Sequence, residues 1–145
     1  MQQDLEKFVL DDPAYVILFI SGLRVLMVAI IVGSAGENEN ATLELQGNVT
    51  ETSGAITIVI GDGSNETNDG AFLTVDSAFN ENLTIASVID GDGAGNDTAT
   101  LIVTDSDANA NVITFSDTVG NTAALDVLNV GSATEDGLAV FQNTV

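Results

Sequence analysis

Carboxylates gathered around glycine are the residues of this chain whose spacing points to chemistry. Asp90, Asp92 and Asp97 lie in and beside the run Gly91-Asp92-Gly93-Ala94-Gly95-Asn96-Asp97-Thr98. Asp62, Glu66 and Asp69 occupy the looser run from Gly61 to Gly70, and Asp105 with Asp107 makes a third pair. A hard divalent cation takes roughly six to eight oxygens, which turns dense in Asp, Asn and backbone carbonyls supply. Calcium is therefore the cofactor to expect, with Asp62, Asp69, Asp90, Asp92 and Asp97 as its ligands. An EF-hand is excluded, because counting from Asp90 puts Ala94 at the third ligand position and Leu101 at the last. The same Asp-Gly pairs also form good turns with no ion bound, and that alternative stays open.

Other chemistry is removed by what the chain lacks. It has 145 residues with no His, Cys or Trp, and 22 Asp and Glu stand against 2 Lys and Arg. Without His or Cys there is no Ser-His-Asp triad, thiol nucleophile, disulfide or zinc-thiolate site. A net charge of −20 excludes a nucleic-acid partner, since nothing displaces counterions from phosphates. The i, i+2 pairs Asp90/Asp92 and Asp105/Asp107 are the minimum for glycoside hydrolysis. Sugar sites want aromatic platforms, however, and from Val25 onward there is only Phe72, Phe79, Phe115 and Phe141. The expectation is a protein that is not an enzyme.

The elements that must position these acids recur. Four segments each read as an apolar run, a Gly-centred polar turn and a second apolar run. They turn at Gly33, Gly61, Gly91 and Gly131, and the long last step holds an extra strand-like piece, Val112 to Phe115. The connection from Asn80 to Thr84 is echoed from Asn109 to Ile113, which aligns Leu83 with Val112. Within the runs Leu43 and Leu45 bracket Glu44, Ile56 and Ile58 bracket Thr57, and Leu125 and Val127 bracket Asp126. Period-two alternation rich in Val, Ile and Thr predicts half-buried strands. Two strands per unit, repeated, predict an all-β, repeat-built β-solenoid of the parallel β-helix kind, with strand pairing at a separation near 29 residues. The alternative is an antiparallel β-sandwich after an N-terminal helix.

Two domains are expected, an apolar N-terminal segment over 1–24 and a β-strand repeat domain over 25–145. From Pro13 to Val32 a helix of bilayer-spanning length, an export signal ending at Gly33-Ser34-Ala35, a buried packing helix, or a first repeat strand from Val25 to Val32 all fit the pattern. Any membrane contact would run through residues 13–32. From Val25 to the end there is no Lys or Arg, yet 18 of the acids lie there. Such a stretch forms no internal salt bridge and needs salt, bound cations or dispersal of its acids.

The Gly91–Thr98 run resembles the glycine-rich calcium nonapeptides of RTX proteins: Gly93, Gly95 and Asp97 match, while Asp92 replaces a glycine. The repeating units as a whole resemble the β-strand-repeat regions of bacterial surface proteins, such as autotransporter passengers, adhesins and S-layer proteins. That resemblance implies a structural or adhesive role outside the cell, at the cell surface, with Ca²⁺ as stabiliser. The chain stops within a repeat, so the expectation is either a fragment of a longer protein or a subunit that self-associates end to end or within a larger surface assembly. A pilin- or archaellin-like filament subunit with an N-terminal core helix is the alternative. Five Asn-x-Thr sequons, at Asn40, Asn48, Asn65, Asn82 and Asn96, mark acceptors for glycosylation or turn chemistry.

Overall fold

The computed structural model describes residues 8–10, 15–18, 29–33, 40–49, 57–61, 70–79, 81–93, 98–107 and 109–145, the first two stretches and Ala29 by backbone alone. These residues form strands and turns with no helix. Three short parallel sheets face one another around a common core, and the chain visits them in turn.

Strands β1 (Phe8–Leu10) and β2 (Tyr15–Leu18) come first, then β3 (Ala29–Val32) and β4 (Asn40–Leu45). One full turn follows as β5 (Thr57–Ile60), β6 (Gly70–Asp76) and β7 (Leu83–Ile85). The next is β8 (Val88–Gly91), β9 (Thr98–Thr104) and β10 (Ile113–Phe115), and the last described turn holds β11 (Val127–Val130) and β12 (Ala139–Phe141). Sheet A has the order β1-β3-β5-β8, sheet B β11-β9-β6-β4-β2 and sheet C β12-β10-β7. Single bridges carry sheet A on from Ile89 to Val119 and sheet C back from Ile85 to Val49.

Every strand pairing among the described residues is parallel. Ala29 pairs with Thr57, Asn40 with Gly70, Gly70 with Thr98 and Leu83 with Ile113, which are separations of 28, 30, 28 and 30. The chain is a β-solenoid, as the repeat period requires. Parallel pairing one turn apart excludes the antiparallel sandwich. The strands at Tyr15–Leu18 and Ala29–Val32 replace the continuous helix from Pro13 that the sandwich and filament alternatives need. No helix among the described residues is long and apolar enough to cross a membrane.

Three details differ from the sequence expectation. From Val49 onward each turn has a third side, made of segments too short to show alternation on their own. The fourth unit is out of phase: Gly131 follows β11 in sheet B, whereas Gly33, Gly61 and Gly91 lie at the ends of strands in sheet A. Its phase mate in sheet A is the segment at Val119, so the long last step of the repeat counts across sheets. Finally, Leu83 pairs with Ile113 and not with Val112, a slip of one residue from the echo in sequence.

Alternation buries one face of β4, β5, β6, β7 and β10. Leu43, Leu73, Leu101 and Leu128 stack in register along sheet B, and Leu45, Val75, Val103 and Val130 form the next column. In sheet A, Val32 pairs with Ile60 and Ile58 with Ile89. In sheet C, Ile85 pairs with Phe115, whose ring stacks on Phe141 with centroids 4.9 Å apart. Like-on-like columns let one side-chain shape tile the core, and each buried aliphatic contributes about 1.5–3 kcal/mol.

Candidate functional site

Polar side chains that could do chemistry collect at the corners between sheets. The densest cluster follows β6 and β9, where the chain leaves sheet B. Asp76, Ser77, Asp105 and Asn111 are all buried there. Asp105 accepts the Ser77 hydroxyl at 2.8 Å on Oδ1 and the Asn111 backbone N–H at 2.7 Å on Oδ2. The Asn111 amide also donates to Asp105 Oδ1 at 3.3 Å and to Asp107 Oδ2 at 2.8 Å. Asp76 in turn accepts both the backbone N–H and the hydroxyl of Ser106, at 2.9 and 2.6 Å.

The electrostatics follow from those bonds. Burial pushes the Asp105 carboxyl up, but the Asn111 N–H, the Ser77 hydroxyl, the Asn111 amide and the Asp107 backbone outweigh it. The net result is a carboxyl held below the ordinary range. Such a group is a poor general base near neutral pH, and its acceptor positions are already in use. The Ser77–Asp105 pair is sealed from solvent, so the corner joins turns of the coil.

The other corners repeat the device. Asp90 is buried on β8 and its Oδ1 accepts the Thr122 N–H at 3.0 Å. Asn48 Oδ1 accepts the Thr84 N–H at 2.7 Å, and Asn82 Oδ1 accepts the Val112 N–H at 2.8 Å. Asp126 Oδ2 reaches back to the Ala99 N–H at 2.9 Å. In each case a short Asp or Asn side chain on one turn satisfies a backbone donor on its neighbour.

The sequence-expected calcium ligands fare differently. Asp62, Asp69 and Asp97, together with Glu66, lie outside the described residues. Asp90 and Asp92 are described but look in opposite directions along the coil. Asp90 holds Thr122 on the following turn, while the Asp92 side chain lies against Gly61 on the preceding one. Among the described residues no three acidic side chains converge to hold a metal ion. Gly91 has a packing reason. Gly91 donates its N–H to Ala123 O at 3.0 Å, and a Cβ there would overlap the Ala124 carbonyl oxygen. The strap from Gly120 to Ala124 crosses this strand so closely that only glycine fits.

The structure links Asp105 and Asp107 through the Asn111 amide; sequence reasoning missed Asn111 and Ser77. The signal that could have found Ser77 is the pattern of Ser77 after Asp76 and Ser106 after Asp105, one turn apart. At the far end of the coil, Val119, Leu125, Leu128 and Val145 help line an apolar cavity of about 160 Å³. Comparison of the chain with protein-family models, with curated proteins and with solved structures found no match.

Proposed function

We propose that this chain is a non-enzymatic structural element of an extracellular surface, a stiff coil that spaces or displays what it is joined to. The observation that carries the reading is the use made of the polar side chains. At the described corners Asp76, Asp90, Asp105, Asn48, Asn82 and Asp126 are committed to backbone or hydroxyl donors, mostly on a neighbouring turn. A chain that spends its carboxylates on holding its own turns together is built for shape. The acidity of the stretch from Val25 onward, which has no Lys or Arg, adds to this, because solvent salt or Ca²⁺ outside the cell relieves its repulsion. Resemblance to bacterial surface repeats belongs to the same proposal.

Protease shaving of intact source cells tests it. Release of the chain into the supernatant while cytoplasmic markers stay inside is the expected result. Protection until the cells are lysed would overturn the surface assignment.

A further inference from the structure

We infer that Asn48 and Asn82 are acceptors for N-linked glycans, so that the outer face of sheet C carries sugar. This rests on the surface reading above, because such glycans are transferred on the side of a membrane away from the cytoplasm. Each asparagine heads a sequon, Asn48-Val49-Thr50 and Asn82-Leu83-Thr84. Both are exposed. The coil brings them together: Val49 bridges Ile85, so the two asparagines sit on neighbouring turns of one side.

Their amides are held in one orientation. Asn48 Oδ1 accepts the Thr84 N–H at 2.7 Å, and Asn82 Oδ1 accepts the Val112 N–H at 2.8 Å. An N–H donor is met only by the oxygen of an amide, so neither group can flip. What each exposed residue has left is Nδ2, the atom on which a glycan is built. The sequon threonine is equally accessible, since Thr84 is exposed on the outer side of β7 between the buried Leu83 and Ile85. Asn40 differs, because its Oδ1 shares the space over Gly70 with the Phe72 ring in sheet B. Asn65 and Asn96 lie outside the described residues.

The donor is an oligosaccharide carried on a polyprenyl diphosphate, and a membrane-bound transferase supplies the catalysis. Nδ2 bonds to the anomeric carbon of the first sugar as the bond from that carbon to the diphosphate oxygen breaks. The amide gives up one proton, and the lipid diphosphate leaves with the electron pair. The amide oxygen takes no part, so its bond to the Thr84 or Val112 N–H survives the transfer. One side chain thus ties two turns through its oxygen and bears sugar through its nitrogen. Thr84, Thr114 and Val140, the outward residues of β7, β10 and β12, are uncharged, and the glycans hydrate a face where the strands place no acid.

Mass spectrometry of the chain taken from its source cells tests the inference. With no Lys or Arg from Val25 onward, cleavage after acidic residues is what separates the sequons. Cuts after Glu44, Glu51, Glu81 and Asp90 place Asn48 and Asn82 in different fragments, and both should carry sugar. Two variants made in the same cells locate it. Asn82→Asp keeps an acceptor for the Val112 N–H but has no Nδ2, and Thr84→Ala keeps the whole amide but breaks the sequon. Each should lose the Asn82 sugar, retain the Asn48 sugar and keep the wild-type circular dichroism, while Thr84→Ser retains both sugars. Bare fragments from a chain that shaving releases overturn the glycans and leave the surface reading; bare fragments from a chain that shaving does not release overturn both. Sugar that persists on Asn82 in Thr84→Ala, or that is found on Asn40 alone, also overturns the inference.

Discussion

Ser77 donates its hydroxyl to the carboxylate of Asp105, 28 residues later, at 2.8 Å in a corner where both side chains are buried. That bond joins consecutive turns where sheet B ends, and it places a charge in the interior with no Lys or Arg among the described residues to pair it. Its stabilisation comes wholly from donors. Removing the carboxylate leaves the Asn111 N–H and the Ser77 hydroxyl short of an acceptor, while the Asn111 amide keeps Asp107. Asp105→Ala should therefore destabilise the fold by about 3 kcal/mol, while Ser77→Ala costs about 1 kcal/mol. Urea unfolding followed by circular dichroism measures both, and equal effects would contradict the donor count.

The same carboxylate sets a pH dependence. Its folded pKa is lowered, so the stability it contributes is present above the unfolded value and is lost as pH falls through the folded one. Acid also relieves the repulsion among the other carboxylates, which acts in the opposite direction. The difference between wild type and Asp105→Asn isolates the single group. That difference should be constant at neutral pH and shrink as pH drops below about 4, the ordinary Asp range. A difference that grows on acidification would show that the sign is wrong.

Gly91 tests the packing account of the glycine run. Alanine there would drive its Cβ into the Ala124 carbonyl and push away the strap that Asp90 and Gly91 hold. Gly91→Ala should cost about 1–3 kcal/mol through overpacking. Gly93 has φ +71°, where alanine costs about 1 kcal/mol from backbone conformation, and its Cβ would also come within 2.9 Å of the Ala123 Cβ on the same strap. Hydrogen exchange ranks the two: the Gly120 and Thr122 amides should lose more protection in the first variant, whose Cβ meets a backbone carbonyl, than in the second.

How much of this was legible in the sequence depends on range. The coil and its period near 29 follow from alternation in runs such as Ala41–Leu45 and from the recurrence of glycine turns, both properties of neighbours in sequence. The third side was not legible as a side, because Leu83–Ile85 and Ile113–Phe115 are three residues long and offer a single alternation each. The echo between Val32-Gly33-Ser34-Ala35 and Val130-Gly131-Ser132-Ala133 misled the phase, since two corners of one coil need the same turn chemistry. Asp90 and Asp92 share an outward face by spacing, but spacing says nothing of which neighbouring turn each side chain reaches. Asn111 was missed for a related reason. Its role is a contact to Asp105 across a corner loop, and no periodicity encodes it.

The position of a leucine along its column decides what it is worth. Leu73 sits between Leu43 and Leu101 with no exposure, so truncation leaves a cavity that rigid neighbouring turns cannot fill. Leu73→Ala should cost about 3–5 kcal/mol. Leu128 continues the same column but is 40% exposed on the last turn, with one paired neighbour. Leu128→Ala should cost less than about 1 kcal/mol, because much of the side chain already meets water. Urea unfolding of both variants measures the two values, and equal costs would contradict the dependence on position along the column.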